Sequence, residues 1–131
     1  MKLVYFIALI LAALPVYSEV DKEKAEAVYF PMEPDITTNY ISERSNLGYV
    51  RVSVSIMVKT PLDLLVVEHH APLIRSAIIE ILGRQPEFKI RTEEGKESIR
   101  RECLVTVNRL IEIETGQQIV INVLITKYLY T

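Results

Sequence analysis

Cysteine is nearly missing from this 131-residue chain: Cys103 is the only one, which excludes an intramolecular disulfide. Three readings of it stay open: a small apolar residue buried on a helix, a reactive thiol, or a thiol of an exported chain that pairs with a second chain. Glycine is scarce too. Four are present, and none belongs to a glycine-rich loop of the kind that cradles phosphate. No Gly-x-Ser-x-Gly elbow occurs, so a serine nucleophile lacks its usual setting. The only histidines, His69 and His70, are neighbours. On a helix their side chains diverge by about 100°, which suits a solvated helix end better than a shared tetrahedral ion. An excess of one charge is also absent. Fifteen basic residues against seventeen acidic ones leave a net charge of −2, and nothing electrostatic points to nucleic acid. No catalytic residue, metal ligand or cofactor-binding residue can be named on these grounds, and no enzyme activity is expected.

Hydrophobic residues make up 50% of the chain, enough for one modest core. The first stretch stands apart. Met1-Lys2 is a short positive start, Leu3 to Leu14 is an uninterrupted apolar run, and Pro15-Val16-Tyr17-Ser18 ends it with small residues at Val16 and Ser18. This is the pattern of a secretory signal over residues 1–18, with cleavage between Ser18 and Glu19. Twelve helical residues would reach only ~18 Å against a hydrocarbon core of ~30 Å. Cleavage is therefore preferred, with a retained short membrane anchor as the alternative. Residues 19–27 are charged and read as a spacer, leaving 28–131 as the domain.

Val28 to Pro34 holds Pro31 and Pro34, which remove ladder donors and place the segment at a sheet edge. Ile36 to Ile41 can pair as a strand, and a polar connection follows. Tyr49 to Lys59 is the clearest strand, with Val50, Val52, Val54, Ile56 and Val58 on one face. Thr60 and Pro61 open a helix over Leu62 to His70, and Pro72 restarts it. Ile74, Ala77, Ile78 and Ile81 then form an apolar stripe that Gly83 stops. In the connection Gln85 to Arg91, Phe88 and Ile90 are placed to pin the loop to the core. Thr92 is the expected N-cap of the last helix, and Glu93, Glu94 and Glu97 suit the positive end of its dipole. Gly95, in the first turn, leaves room for another backbone. Ile99, Cys103, Val107, Leu110 and Glu114 follow a helical period, with Ile111 beside them, and Gly116 ends the helix. Ile119 to Tyr130 is a long strand, apolar on both faces, which points to a central or heavily covered position. The expected class is α+β, a small sheet covered by two or three helices.

Tyr29-Phe30-Pro31-Met32-Glu33-Pro34, the alternating strand, the Arg75-containing helix and the run Thr92-Glu93-Glu94-Gly95-Lys96-Glu97 stand in an order that resembles the periplasmic domain of the FliL family. The resemblance covers about Val28 to Thr131. It implies a flagellar basal-body-associated protein in the periplasm near the inner membrane, with a fold similar to the stomatin and prohibitin core domain. It also implies assembly into a homo-oligomeric ring that supports stator units of the MotA/MotB type, and no cofactor. The chain departs from the family plan at its start, where neither a basic cytoplasmic segment nor a full-length membrane helix is visible. A secreted adaptor or small-ligand-binding module on the same fold is the competing function.

What remains is surface. The helical wheel places Arg101, Val105, Asn108 and Glu112 opposite the buried stripe of the last helix, and Ile79 beside Arg75 on the polar side of the preceding one. Single exposed apolar residues are ordinary, but two on adjacent helices, flanked by charge, have the look of an oligomer contact. Ile79, Val105, Arg75 and Arg101 are the candidates.

Export gives the first test. If residues 1–18 are a signal peptide, mass spectrometry of the native chain finds Glu19 at its start and the protein in the soluble periplasmic fraction. A chain that keeps Leu3 to Leu14 would contradict cleavage.

Overall fold

Five alternate residues of one strand, Val50, Val52, Val54, Ile56 and Val58, are all buried, and the rest of the fold is arranged around them. The computed structural model describes residues 26–43 and 46–131; the expected signal segment, its Ser18–Glu19 cleavage site and most of the spacer lie outside the described residues. Three strands, β1 (Val28–Tyr40), β2 (Gly48–Val58) and β3 (Val120–Tyr130), form an antiparallel sheet in the order β1-β2-β3. Four helices, α1 (Pro61–His69), α2 (Ala71–Gly83), α3 (Glu87–Arg91) and α4 (Glu93–Thr115), separate β2 from β3. The fold is α+β, as expected. α2 packs on β1 and α4 on β3, so the helices cover the face to which β2 turns its valines.

The local stops and starts follow the sequence. Thr60 Oγ1 accepts from the Asp63 amide at 3.1 Å and Thr92 Oγ1 from the Gly95 amide at 3.0 Å, each satisfying one orphan donor of a helix start. Gly116 ends α4 at φ 80°, where a side chain would be strained, and its amide donates to Glu112. Gly95 has the tighter reason. A Cβ there would lie 2.1 Å from the Lys89 carbonyl oxygen, so the first turn of α4 sits directly against the backbone of α3.

Four expectations need correction. β3 is an edge strand, not a central one. Two irregularities in its pairing, opposite Ser53/Val54 and Met57/Val58, reset the alternation. Val120, Val123 and Ile125 thereby oppose Val58, Ile56 and Val54 on the core face, while Leu124 opposes Ser55 on the other. Apolar residues in both phases reflected that reset and a partly apolar outer face. Residues 85–91 are not a plain connection but contain α3, in which Ile90 is buried and Phe88 is 60% exposed, so only Ile90 pins the segment. On α4 the buried positions are Gly95, Ile99, Cys103, Val107 and Ile111, a strict four-residue row. Such a row is inclined to the helix axis, which leaves Leu110 half-buried and Glu114 exposed. Asn108, expected among exposed residues, is half-buried and clamps the start of β3. Its Nδ2 donates to the Val120 carbonyl at 2.9 Å and its Oδ1 accepts from the Val120 amide at 3.0 Å.

The close approach at Gly95 is directly testable. Gly95→Ala forces α3 and α4 apart or bends the first turn, and costs about 1–3 kcal/mol. Chemical denaturation should show a lowered midpoint with unchanged m-value; an unaltered midpoint would mean that the two helices do not meet there.

Candidate assembly surface

The outer face of α4 is built from residues that its buried row leaves behind: Ser98, Arg101, Val105, Arg109 and Glu112 are exposed. Val105, 64% exposed, has Arg101 and Arg109 one turn away on either side. Arg109 was not singled out in the sequence, although its four-residue spacing from Val105 was there to read. Arg101 is mostly exposed, and its Nε donates to Glu97 at 3.2 Å.

On α2, Leu73, Ser76 and Ile79 run along the exposed side at three-residue spacing, with Ile79 38% exposed. The two helices are joined near this surface. Arg84, just past α2, pairs with Glu102 of α4, and Gln85 Nε2 bridges the Ile81 carbonyl at 2.8 Å and Glu102 at 3.1 Å. Glu102 lies three residues before Val105 and so shares its side of α4. No contact brings Ile79 and Val105 together; each lies on its own helix.

Arg75 does different work. Its Nη1 donates to the Pro34 carbonyl at 2.6 Å and its Nη2 to the Asp35 carbonyl at 3.1 Å. Those carbonyls belong to a bulge. Met32 opposes Val54 and Ile36 opposes Val52, so Glu33, Pro34 and Asp35 face Ser53 alone. From the sheet side, Ser53 Oγ donates to Asp35 Oδ1 at 2.6 Å and Arg51 Nε to Oδ2 at 3.0 Å. The Ser53 hydroxyl above all, and the Arg51 guanidinium after it, hold the Asp35 carboxyl below its ordinary value. The bulge is thus gripped from both faces. Sequence spacing alone had no signal for it, because Arg51 and Ser53 lie 16 and 18 residues from Asp35 and Arg75 lies 40 residues away.

Charge is also concentrated on the first turns of α4. Glu97 accepts from Arg100 at 2.5 and 2.8 Å as well as from Arg101. Arg100 bonds the Asn122 side chain in turn, tying α4 to β3. Hydrogen bonds from Arg100, assisted by Arg101, pull the Glu97 carboxyl down to about 2. Cys103 is buried, and that burial pushes its thiol up to about 12. His69 and His70 meet edge to face with centroids 5.0 Å apart, and His70 Nδ1 lies 2.8 Å from the Val66 carbonyl. Among the described residues no group of three His, Cys, Asp or Glu is placed to hold a metal ion, and no helix is long and apolar enough to cross a membrane.

This geometry defines a one-sided α+β domain with helix faces and an outer sheet face open to contact. A family model described as flagellar basal body-associated protein FliL matches residues 29–130, and the chain belongs to that family. A flagellar protein FliL from Aquifex aeolicus (strain VF5) is 30% identical over 84 residues, covering 64% of this chain and 52% of the relative. The chain thus spans about half the length of that curated relative.

Glu97 carries a pH prediction. Its folded value near 2 lies below the ordinary 4.5, so the folded state favours the ionised form. Its stabilising contribution is complete above about pH 4.5 and is lost as pH falls toward 2. Glu97→Gln should lower the melting temperature at neutral pH and flatten its fall between pH 4.5 and 2. Parallel melting curves of the two proteins across that window would show that the arginines do not hold the carboxylate.

Proposed function

We propose that this domain is a non-enzymatic accessory subunit of the flagellar basal body. It self-assembles in the periplasm beside the inner membrane and supports stator units of the MotA/MotB type. The observation that carries the reading is the family match, which runs through all three strands and four helices. The exposed faces of α2 and α4 supply the contacts. Ile79 and Val105 offer apolar area, and Arg101 and Arg109 flank Val105 with charge. Arg75 supports assembly from behind, by fixing α2 to the β1 bulge. Contacts of this size are individually weak, but repetition around a closed ring multiplies them, and the ring braces the torque generator against load.

Ile79→Glu and Val105→Glu test the surface. Both positions are exposed, so circular dichroism and melting should change little. Each places a carboxylate where a contact would desolvate it, and self-association should weaken by about tenfold or more. Swimming in medium of raised viscosity should fall in parallel, with filaments still assembled under the microscope. Folded variants that self-associate normally and fully complement a deletion would remove these residues from the contact.

A further inference from the structure

A sheet of three strands has two edges, and this one guards them unequally. The outer edge of β1 is interrupted at each stage of its length. Pro31 and Pro34 offer no N–H, and Arg75 occupies the Pro34 and Asp35 carbonyls at 2.6 and 3.1 Å. Further on, the end of α2 closes in: a Cβ on Gly83 would lie 3.6 Å from the Asn39 carbonyl oxygen. The Ile41 amide then donates to the Gln85 carbonyl at 3.1 Å. β1 is left with no run on which a further strand can be laid.

β3 is guarded only over its first part. Asn108 takes both the amide and the carbonyl of Val120, and Asn122 Oδ1 accepts from the Val123 amide at 2.9 Å. Thr126 has no partner in the β2 register and forms the bulge between Ile125 and Lys127. Beyond it the strand is regular. Lys127 faces Ser53, Leu129 faces Arg51, and the Thr131 amide donates to the Tyr49 carbonyl at 3.0 Å. Backbone groups alternate along an antiparallel strand, so residues 127, 129 and 131 turn theirs to β2, while Tyr128 and Tyr130 turn theirs outward. Tyr128 bonds α3 only through its hydroxyl, to the Ile90 carbonyl at 2.7 Å, and among the described residues no other element bonds these outward backbone groups. Leu129 and Tyr130 are 53% and 43% exposed, and no proline interrupts the strand.

We infer that residues 127–131 pair antiparallel with the same residues of a second copy, joining two three-stranded sheets into one of six strands. An open edge is satisfied by a strand with an open edge to offer, and of the two edges of this domain only β3 has one. Like must therefore meet like, about a two-fold axis. Pairing of the outward groups also sets the register. Tyr128 lies opposite the second copy's Tyr130 and exchanges two hydrogen bonds with it, which the symmetry repeats. Leu129 then sits on the axis against its own mate, on the face of the sheet away from the helices. The side chains suit this register. The tyrosines form cross-strand aromatic pairs, while Lys96 and Arg91 stay over the Tyr128 and Tyr130 rings of their own copy, 5.3 and 5.2 Å from the centroids. Lys127, the only charge on β3, falls opposite Thr131. The two lysines are thereby held ~14 Å apart, beyond the ~8 Å screening length at physiological salt. The contact is small and separate from the helix faces, so it adds to their contacts rather than replacing them.

Disulfide capture in intact cells reads both the pairing and its register. The full chain is expressed with Leu129→Cys or, as the control, Lys127→Cys, and the cells are oxidised with copper-phenanthroline before a non-reducing gel. Both positions are exposed, so neither substitution disturbs the core. Buried Cys103, its thiol raised to about 12, stays out of the reaction. Facing residues that share no hydrogen bonds have Cα atoms ~4.5 Å apart, within disulfide reach. Leu129→Cys should therefore form a covalent dimer about tenfold or more faster than Lys127→Cys, and should still do so when Val105→Glu is added. No dimer from either cysteine, or equal rates from both, would overturn the pairing. A faster dimer from Lys127→Cys would overturn it too, by placing the axis elsewhere. Loss of the Leu129→Cys dimer on adding Val105→Glu would likewise overturn it, since the cysteine would then report assembly through α4.

Discussion

Everything in this domain leans on the inner row of β2. Val50, Val52, Val54, Ile56 and Val58 are buried because strands lie on both sides of β2 and helices lie above it. A one-residue slip would turn all five outward, so register is strongly enforced at this strand. The neighbours absorb the misfits instead. β1 takes up extra residues between Met32 and Ile36, and β3 resets twice. The central strand is regular and the edges are irregular, and the irregular places are where α2, through Arg75, and α4, through Asn108 and Arg100, grip the sheet.

That division explains what could be read in the sequence. The β2 alternation, the Thr60 and Thr92 caps, the close approach at Gly95 and the stop at Gly116 all obey rules acting within a few residues. The rank of β3 in the sheet did not, because a bulge converts a simple period into two apolar phases, which mimic a buried strand. Phe88 and Glu114 were misjudged for a related reason. Their exposure depends on how α3 and α4 cross the sheet, and crossing angle leaves only a faint trace in spacing. Of the candidate contacts, Ile79 and Val105 were legible as apolar residues on polar faces, and the structure leaves both exposed. Arg75 showed its charge in the sequence but not its partners.

Membership of the FliL family assigns the chain to the flagellar basal body, and the surfaces suggest how one small domain could serve several neighbours there. The helix flanks, the two ends and the outer sheet face point in different directions. Surfaces separated in this way do not compete for the same area when more than one of them is occupied.

The depth of Cys103 has a consequence for handling the protein under oxidising conditions. Thiolate is the species that attacks disulfides and peroxides, and a thiol raised to about 12 is almost wholly protonated at neutral pH. Shielded between α4 and the sheet, the sulfur is out of reach of oxidants and of other chains while the fold is closed. Any covalent dimer joined through Cys103 therefore records a molecule that had opened. The rate at which such dimers accumulate in an oxidising buffer becomes a clock for excursions of α4 away from α2 and β3, legible on a non-reducing gel without any added label.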